Sequence, residues 1–217
     1  MATELTICEL FRSIQGESTH AGRRCAFVRA TGCNLACSWC DTPYARSREG
    51  ESVPVDELCR RVERLGCRLV CITGGEPLLQ AEATCALARE LLGRGHEVLL
   101  ETNGSLDVSR VPDGVVRVMD VKCPGSGECG STMAGNPGAL GPEDEVKFVI
   151  SDRRDFEWAL GYCTEHDLWG GPAILLAPAW GRLEGAELAE WILECDRKVR
   201  LQLQLHKLLW PGRERGV

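Results

Sequence analysis

Residues 25–40, Cys25-Ala-Phe-Val-Arg-Ala-Thr-Gly-Cys33-Asn-Leu-Ala-Cys37-Ser-Trp-Cys40, decide the reading of the fold. The first six residues are a short apolar run of the kind that makes a buried strand, and the run feeds directly into three cysteines crowded within eight residues. Outward from this stretch the same arrangement recurs. A strand at 5–14 precedes it, and short apolar runs at 69–73, 97–102, 115–121, 145–150, 173–177 and 200–206 follow, mostly roughly 25 to 30 residues apart. Helical patterns fill the intervals at 78–92, 152–166 and 184–195. Another helix is expected after Ser52, read as its cap before Pro54, with Leu58, Val62 and Leu65 on one face and Gly66 as the stop. This is the rhythm of parallel βαβ units, so the expectation is an α/β fold in one domain spanning 1–217.

The residues with chemical potential follow the strands. Arg29 and the cysteines follow the strand at 25–30, Gly74-Gly-Glu-Pro77 follows 69–73, and Asn103 and Gly104 follow 97–102. Asp120, Lys122 and Ser126 sit at the end of the next strand, Lys147 lies within its own, Pro178 and Trp180 follow 173–177, and His206 and Lys207 close the last. In a parallel α/β sheet, open or closed into a barrel, carboxyl ends share one rim, and chemistry gathers there. Groups scattered along the chain are therefore expected to converge. One segment breaks the rhythm: residues 123–142 hold six glycines and three prolines and read as a long, functional or mobile loop.

Composition narrows the class. The 217 residues carry a formal charge of −7, with 44% apolar and 26% charged residues, an ordinary globular balance with no broad attraction for nucleic acid or anionic lipid. No apolar run approaches the ~18 residues of a membrane span. The start Met1-Ala-Thr-Glu-Leu lacks the features of a secretory signal, so a cytoplasmic location and a small-molecule substrate are expected, with neither nucleic acid nor membrane as partner.

Thirteen cysteines are the abnormal number, and being odd they cannot all pair within the chain. Ten are dispersed among apolar neighbours and read as packing. Cys33, Cys37 and Cys40 differ. Three thiolates at this spacing suit a four-iron cluster with one iron left open to an exchangeable ligand, whereas a structural zinc site is closed by four protein ligands. A fourth ligand from elsewhere in the fold, a zinc staple and accidental core thiols stay open at this point.

Cys33-x3-Cys37-x-Trp39-Cys40 resembles the cluster motif of the radical S-adenosylmethionine (radical SAM) enzymes, and Gly74-Gly75-Glu76-Pro77 resembles their second landmark. Within that superfamily the chain resembles the 7-carboxy-7-deazaguanine synthase family over nearly its whole length. The likeness is carried by Phe11-Arg-Ser-Ile-Gln-Gly-Glu17, Phe27-Val-Arg29, Cys40-Asp-Thr42, Thr73-Gly-Gly-Glu-Pro77, Glu101-Thr-Asn-Gly104, Asp120-Val-Lys-Cys-Pro124, Lys147-Phe-Val149 and Gln204-Leu-His-Lys207. It implies an incomplete TIM-like barrel and a radical SAM carbon–nitrogen lyase of queuosine and 7-deazapurine biosynthesis. That family contracts the ring of 6-carboxy-5,6,7,8-tetrahydropterin with loss of ammonia, using a [4Fe-4S] cluster, S-adenosylmethionine and Mg2+. A reductant such as flavodoxin and a homodimer are implied with it.

The resemblance also implies roles. Cys33, Cys37 and Cys40 hold the cluster and Thr42 offers a hard oxygen to Mg2+. Ile14, Gln15, Gly16, Glu17, Arg29, Thr73 and His206 meet the substrate, with Lys207 a second candidate for its carboxylate. Gln15 and Glu17 suit the donor–acceptor edge of a pterin, and Arg29 suits its carboxylate. Trp39, Cys40, Asp41, Gly75, Thr102, Asn103 and Lys122 line the S-adenosylmethionine side, with Gly75 admitting a close backbone approach. The alternatives are an activating enzyme that installs a glycyl radical on a partner protein and a non-catalytic iron–sulfur or zinc protein.

Overall fold

The computed structural model describes residues 3–217. Its long first strand, β1 (Glu4–Ile14), turns back into β2 (Arg24–Ala30) as an antiparallel pair with Ile14 opposite Arg24. A short β3 (Glu51–Pro54) pairs antiparallel with the other edge of β1. From β2 onward every pairing is parallel: β4 (Leu69–Gly74), β5 (Glu97–Thr102), β6 (Val115–Val121), β7 (Glu145–Ile150), β8 (Ala173–Pro178) and β9 (Arg200–Leu201). The nine strands form one sheet in the order β3-β1-β2-β4-β5-β6-β7-β8-β9, and its edges do not close. The helices are α1 (Val55–Arg64), α2 (Ala81–Gly93), α3 (Arg153–Glu165), α4 (Gly185–Glu194) and α5 (Leu205–Leu209).

The strands alternate between two buried faces. Ala26, Val28, Val70, Ile72, Val98 and Leu100 pack with Leu58, Val62, Leu87 and Leu91 of α1 and α2. The residues between them, Cys25, Phe27, Leu69, Cys71 and Leu99, form a separate inner cluster, where Phe11 stacks on Phe27 at 5.0 Å. Strands buried on both sides must be apolar at nearly every position, which is why they read as runs. A second core under α3 and α4 centres on Phe148, which meets Tyr162 edge-on at 5.8 Å. The dispersed thiols Cys25, Cys59, Cys67, Cys71, Cys85, Cys123 and Cys163 are buried, and all thirteen cysteines are free. Burial pushes Cys59 up to about 11 and Cys163 up to about 12, so these are inert packing groups.

Four sequence expectations are corrected. Ser52 is not a helix cap: it lies in β3 opposite Thr6, and α1 begins at Val55. The helix expected from residue 78 opens as a 3-10 turn (Pro77–Gln80), capped by the Glu76 carboxylate, and becomes α-helical only at Ala81. The strand expected over 200–206 ends at Leu201, so His206 lies on the short helix α5. The strand rhythm is not parallel throughout, since β1 runs against both neighbours. By contrast Asp152 caps α3 through the Asp155 N–H, at the boundary the pattern gave.

Truncating Phe148, which is fully buried, is expected to cost about 3 to 5 kcal/mol in Phe148→Ala, read from urea unfolding. A loss below about 1 kcal/mol would contradict the packing described.

Candidate active site

The ends of β2, β4, β5, β6 and β7 open on one cavity of about 490 Å³. Every residue singled out for the site lines it: Cys33, Cys37, Trp39, Cys40, Asp41 and Thr42 after β2, Thr73 and Gly75 after β4, Thr102 and Asn103 after β5, and Lys122 after β6. Arg29 and His206 face it as well. Ile14, Gln15, Gly16 and Glu17 reach it from elsewhere. Because β1 is antiparallel to β2, the turn 15–23 starts at the amino ends of the parallel strands and folds inward beneath them. Thr19 Oγ1 donates to Glu145, the first residue of β7, at 2.5 Å, which places this turn as the floor.

A chain of alternating charges runs along one wall. Lys147 Nζ lies 2.9 Å from Glu17 Oε2 and 3.1 Å from Asp120 Oδ2, and Lys122 Nζ lies 3.1 Å from Asp120 Oδ1, off the line of a good hydrogen bond. Burial pushes the Glu17 carboxyl up, but Lys147 and a Gln204 hydrogen bond of 2.8 Å outweigh it and hold it below the usual carboxylate value. Burial likewise raises Asp120, and Lys122 and Lys147 more than reverse it. The two lysines are held charged by the same carboxylates against their own desolvation. Glu17 is therefore an ionised, acceptor-only group. Beside it Gln15 accepts the Glu17 N–H at 3.1 Å, and its buried Nε2 has no partner in the protein. A free amide donor next to a carboxylate acceptor, on the floor of a cavity, is a complementary edge awaiting a ligand.

At the mouth, Cys33, Cys37 and Cys40 are half-buried, and no other cysteine lines the cavity. Among the described residues no three His, Cys, Asp or Glu side chains converge as one metal ion needs. A four-iron cluster asks for something else, a thiolate at each of several separate corners, and three thiols around one cavity fit that with a corner left over. Burial raises the Cys37 thiol while nearby Lys122 favours its thiolate. Asn103 Nδ2 lies 3.9 Å from Cys33 Sγ. Thr42 precedes a 3-10 turn (Pro43–Arg46) without using its hydroxyl as a cap, so that oxygen is free toward the cavity, and any Mg2+ there would need substrate and water to complete its shell.

The landmark Gly74-Gly-Glu-Pro is packed to hold this mouth. A Cβ on Gly75 would fall 2.1 Å from Gly32 O and 2.7 Å from Ala45 O, so the close approach it permits is to the chain on either side of the cysteine loop. The fully buried Glu76 accepts from Asn103 N at 2.7 Å, Leu78 N at 2.9 Å and Thr102 Oγ1 at 2.9 Å, tying the end of β5 to that of β4. The 123–142 segment is likewise an ordered support. Ser38 N donates to Ser126 O at 2.9 Å and Ala36 N to Glu128 Oε1 at 2.7 Å, while Arg182 donates to Ser38 O at 3.1 Å with its guanidinium over Trp39.

The match with known proteins fits this geometry. A family model, the radical SAM superfamily, matches residues 27–120. The chain is 41% identical to the 7-carboxy-7-deazaguanine synthase of Koribacter versatilis, covering 98% of this chain and 100% of that protein. It is 44% identical to the enzyme of that name from Chlorobaculum tepidum, covering 100% of both chains. The chain belongs to the 7-carboxy-7-deazaguanine synthase family. The fold agrees: the crystal structure of QueE from Escherichia coli superposes with a TM-score of 0.75 at 22% identity, covering 93% of this chain and 94% of that one. Neither a glycyl-radical activating enzyme nor a non-catalytic metal protein is favoured by this family membership.

Beyond the family residues foreseen, the cavity takes in several that sequence reasoning did not assign. Glu101 accepts from Thr73 Oγ1 at 2.7 Å, and Arg29 Nε is held by Glu9 Oε2 at 2.9 Å. Arg46, Trp210, Arg213 and Val217 also line the wall. Asp120 is legible as a strand-end acid and Glu101 only as part of the family stretch 101–104; Arg46, Trp210 and Arg213 carry no local signal, since their place depends on how the turn after Thr42 and the segment after α5 are laid.

The charge chain sets a pH-dependent expectation. Glu17 and Asp120 have depressed values in the folded protein, so their stabilisation is full above the unfolded carboxylate range near ~4 and is lost as pH falls through the folded values. Lys147→Met leaves Glu17 without a cation and Asp120 with Lys122 alone, and is expected to cost about 3 kcal/mol at pH 7. The gap to the wild type should narrow as the pH is lowered below ~5 and the two acids take up protons, read from denaturant unfolding across pH. A gap that stays constant or widens would refute the pairing.

Proposed function

We infer that this protein is a 7-carboxy-7-deazaguanine synthase, a radical SAM lyase that contracts the ring of 6-carboxy-5,6,7,8-tetrahydropterin and releases ammonia. The observation that carries the reading is one cavity with three thiols and no fourth at its mouth, and an unpaired amide beside an ionised carboxylate at its floor. The cluster and S-adenosylmethionine, when bound, supply the one-electron reduction and the hydrogen-abstracting group. The rest is the work of the chain's own residues.

Glu17 accepts the two N–H donors of the pterin's aminopyrimidinone edge, and Gln15 Nε2 donates to its carbonyl side. Arg29 and His206 take the substrate carboxylate. Arg29 is oriented for this by Glu9 on one side and by the Phe11 ring, 5.7 Å away, on another. Burial lowers His206 despite the nearby Glu17 and Asp41. Ile14, Gly16 and Thr73 complete the substrate walls, with Thr73 itself held by Glu101. Trp39, Cys40, Asp41, Gly75, Thr102, Asn103 and Lys122 face S-adenosylmethionine, and Thr42 supplies one oxygen to Mg2+. Lys207, 3.0 Å from Asp41, holds that carboxyl down to about 2 against the effect of burial, keeping it an acceptor for the amino group or ribose of the nucleotide.

Reconstituted without oxygen with iron and sulfide, and given a reductant and S-adenosylmethionine, the protein is expected to convert the carboxytetrahydropterin to the deazaguanine with release of ammonia. Protein that cleaves S-adenosylmethionine yet leaves the pterin intact would reject the substrate. A one-electron donor such as flavodoxin and a homodimer belong to the same reading. The exposed leucines Leu201 on β9, Leu203 just past it, and Leu208 and Leu209 on α5 support a self-association face. Sedimentation at micromolar concentration is expected to give twice the chain mass; a monomer would remove the dimer from the proposal.

A further inference from the structure

Ser18 is one of two non-glycine residues with a left-handed backbone among those described, at φ 66°. Such a residue is held only where its surroundings over-determine it. Its N–H is captured by Gln202 Oε1 at 2.7 Å, and the Nε2 of the same side chain donates to Glu17 Oε2 at 3.1 Å. One amide thus bridges the strained backbone and the carboxylate beside it. Gln202 is buried at 5% exposure, does not line the cavity, and is fixed by its own N–H on Leu176 O at 2.9 Å, just past β9. Two residues on, Gln204 donates to the other Glu17 oxygen at 2.8 Å, and Leu205 N bonds Gly16 O at 3.0 Å. The segment after β9 is therefore zipped along the floor turn.

We propose that Gln202 is a positioning residue for substrate recognition, fixing the direction in which the Glu17 carboxylate faces the N–H donors of the substrate. This rests on the reading of Glu17 as the group that meets the pterin edge. The left-handed turn at Ser18 is held from outside by Gln202 and from within by His20 N on Ser18 Oγ at 3.0 Å, and of these only the Gln202 side chain also bonds the neighbouring Glu17 carboxylate. Lys147 and Gln204 also bond the carboxylate, but neither touches the turn backbone at Ser18, so Gln202 alone couples the backbone to the side chain.

The test uses the reconstituted enzyme with Gln202→Met, which keeps length and volume while removing both bonds, and Gln202→Glu, which keeps the shape. In Gln202→Met the KM for the pterin is expected to rise about tenfold, the scale of a lost hydrogen bond to a charged group, with kcat and substrate-free cleavage of S-adenosylmethionine unchanged. Gln202→Glu sets a second carboxylate against Glu17, which already faces Lys147 from β7 with Asp120 behind it, Asp41 from the cysteine loop, and His206 and Lys207 from α5. One proton shared by the pair strengthens binding on the acid side, so the ratio of variant to wild-type pterin affinity is expected to rise from pH 8 to pH 6. An unchanged KM in Gln202→Met, a flat ratio in Gln202→Glu, equal loss of KM and of S-adenosylmethionine cleavage, or failure of both variants to fold would each overturn the assignment. A wild-type enzyme that cleaves S-adenosylmethionine but ignores the pterin fails the functional reading instead, so the two failures are told apart.

Discussion

A carboxylate taken out of water is costly unless a cation or several N–H donors come with it, and the cavity wall of this open barrel sets two, Glu17 and Asp120, against lysines. The structure meets that constraint by alternation: Glu17, Lys147, Asp120 and Lys122 follow one another along the wall, so each buried charge has the opposite sign beside it. The arrangement keeps the floor carboxylate ionised and the mouth positive next to Cys37 at the same time. An ionised carboxylate at the floor and a cation beside Cys37 at the mouth are thus two ends of one electrostatic solution. It also explains why residues of β6 and β7 sit in a site whose recognisable motifs lie on β2 and β4.

The same economy governs the mouth. A loop carrying three thiols has little apolar surface of its own, so its shape is imposed from outside. Gly75 lets β4 close on Gly32 at the loop's start, and the 123–128 segment and Arg182 supply hydrogen bonds at its middle. Glu76 couples this to β5 by presenting its oxygens to Asn103 and Leu78. Burial raises its carboxyl, and the N–H donors around it are what make the charge tolerable there. The landmark glycines and acid are first a joint between strands, and through that joint they shape the cofactor side of the cavity.

Legibility in the sequence follows the range of the forces. The parallel strands and the cysteine loop were readable because each is encoded locally, by apolar runs and by spacing. The same holds for the Asp152 cap. The segment Leu201-Gln-Leu-Gln-Leu-His206 misled because its period-two alternation imitates a strand. Its leucines 201 and 203 are more than a third exposed, and its glutamines turn inward to serve Glu17. Ser52 misled for the reverse reason, since nothing near it announces that Thr6 will pair opposite. Lys147 and Glu17 stand 130 residues apart, and although Lys147 stands out as a charge inside an apolar run, nothing local says that Glu17 is its partner. Family resemblance supplied Glu17; only the fold supplied its partner.

An unclosed sheet leaves a gap between β9 and the part of β1 beyond Ile7 that β3 does not cover, and the last requirement is to wall it. Residues 210–217 cross that gap: Trp210, Arg213, Glu214 and Val217 line the cavity, Gly216 N reaches Glu9 Oε1 at 3.3 Å, and Arg215 lies over the Tyr44 ring at 4.2 Å. Glu9 on β1 is the common anchor, since it also takes Arg29 at 2.9 Å and the Tyr44 hydroxyl at 2.7 Å. A hydrogen-bonded strand in this place would have fixed the wall as rigidly as the rest of the barrel. A segment held instead by one carboxylate and one aromatic ring has fewer bonds to break, so it is the part of the wall whose local opening is least opposed. Arg29 and the covering segment thus share one anchor, each on its own oxygen of the Glu9 carboxylate.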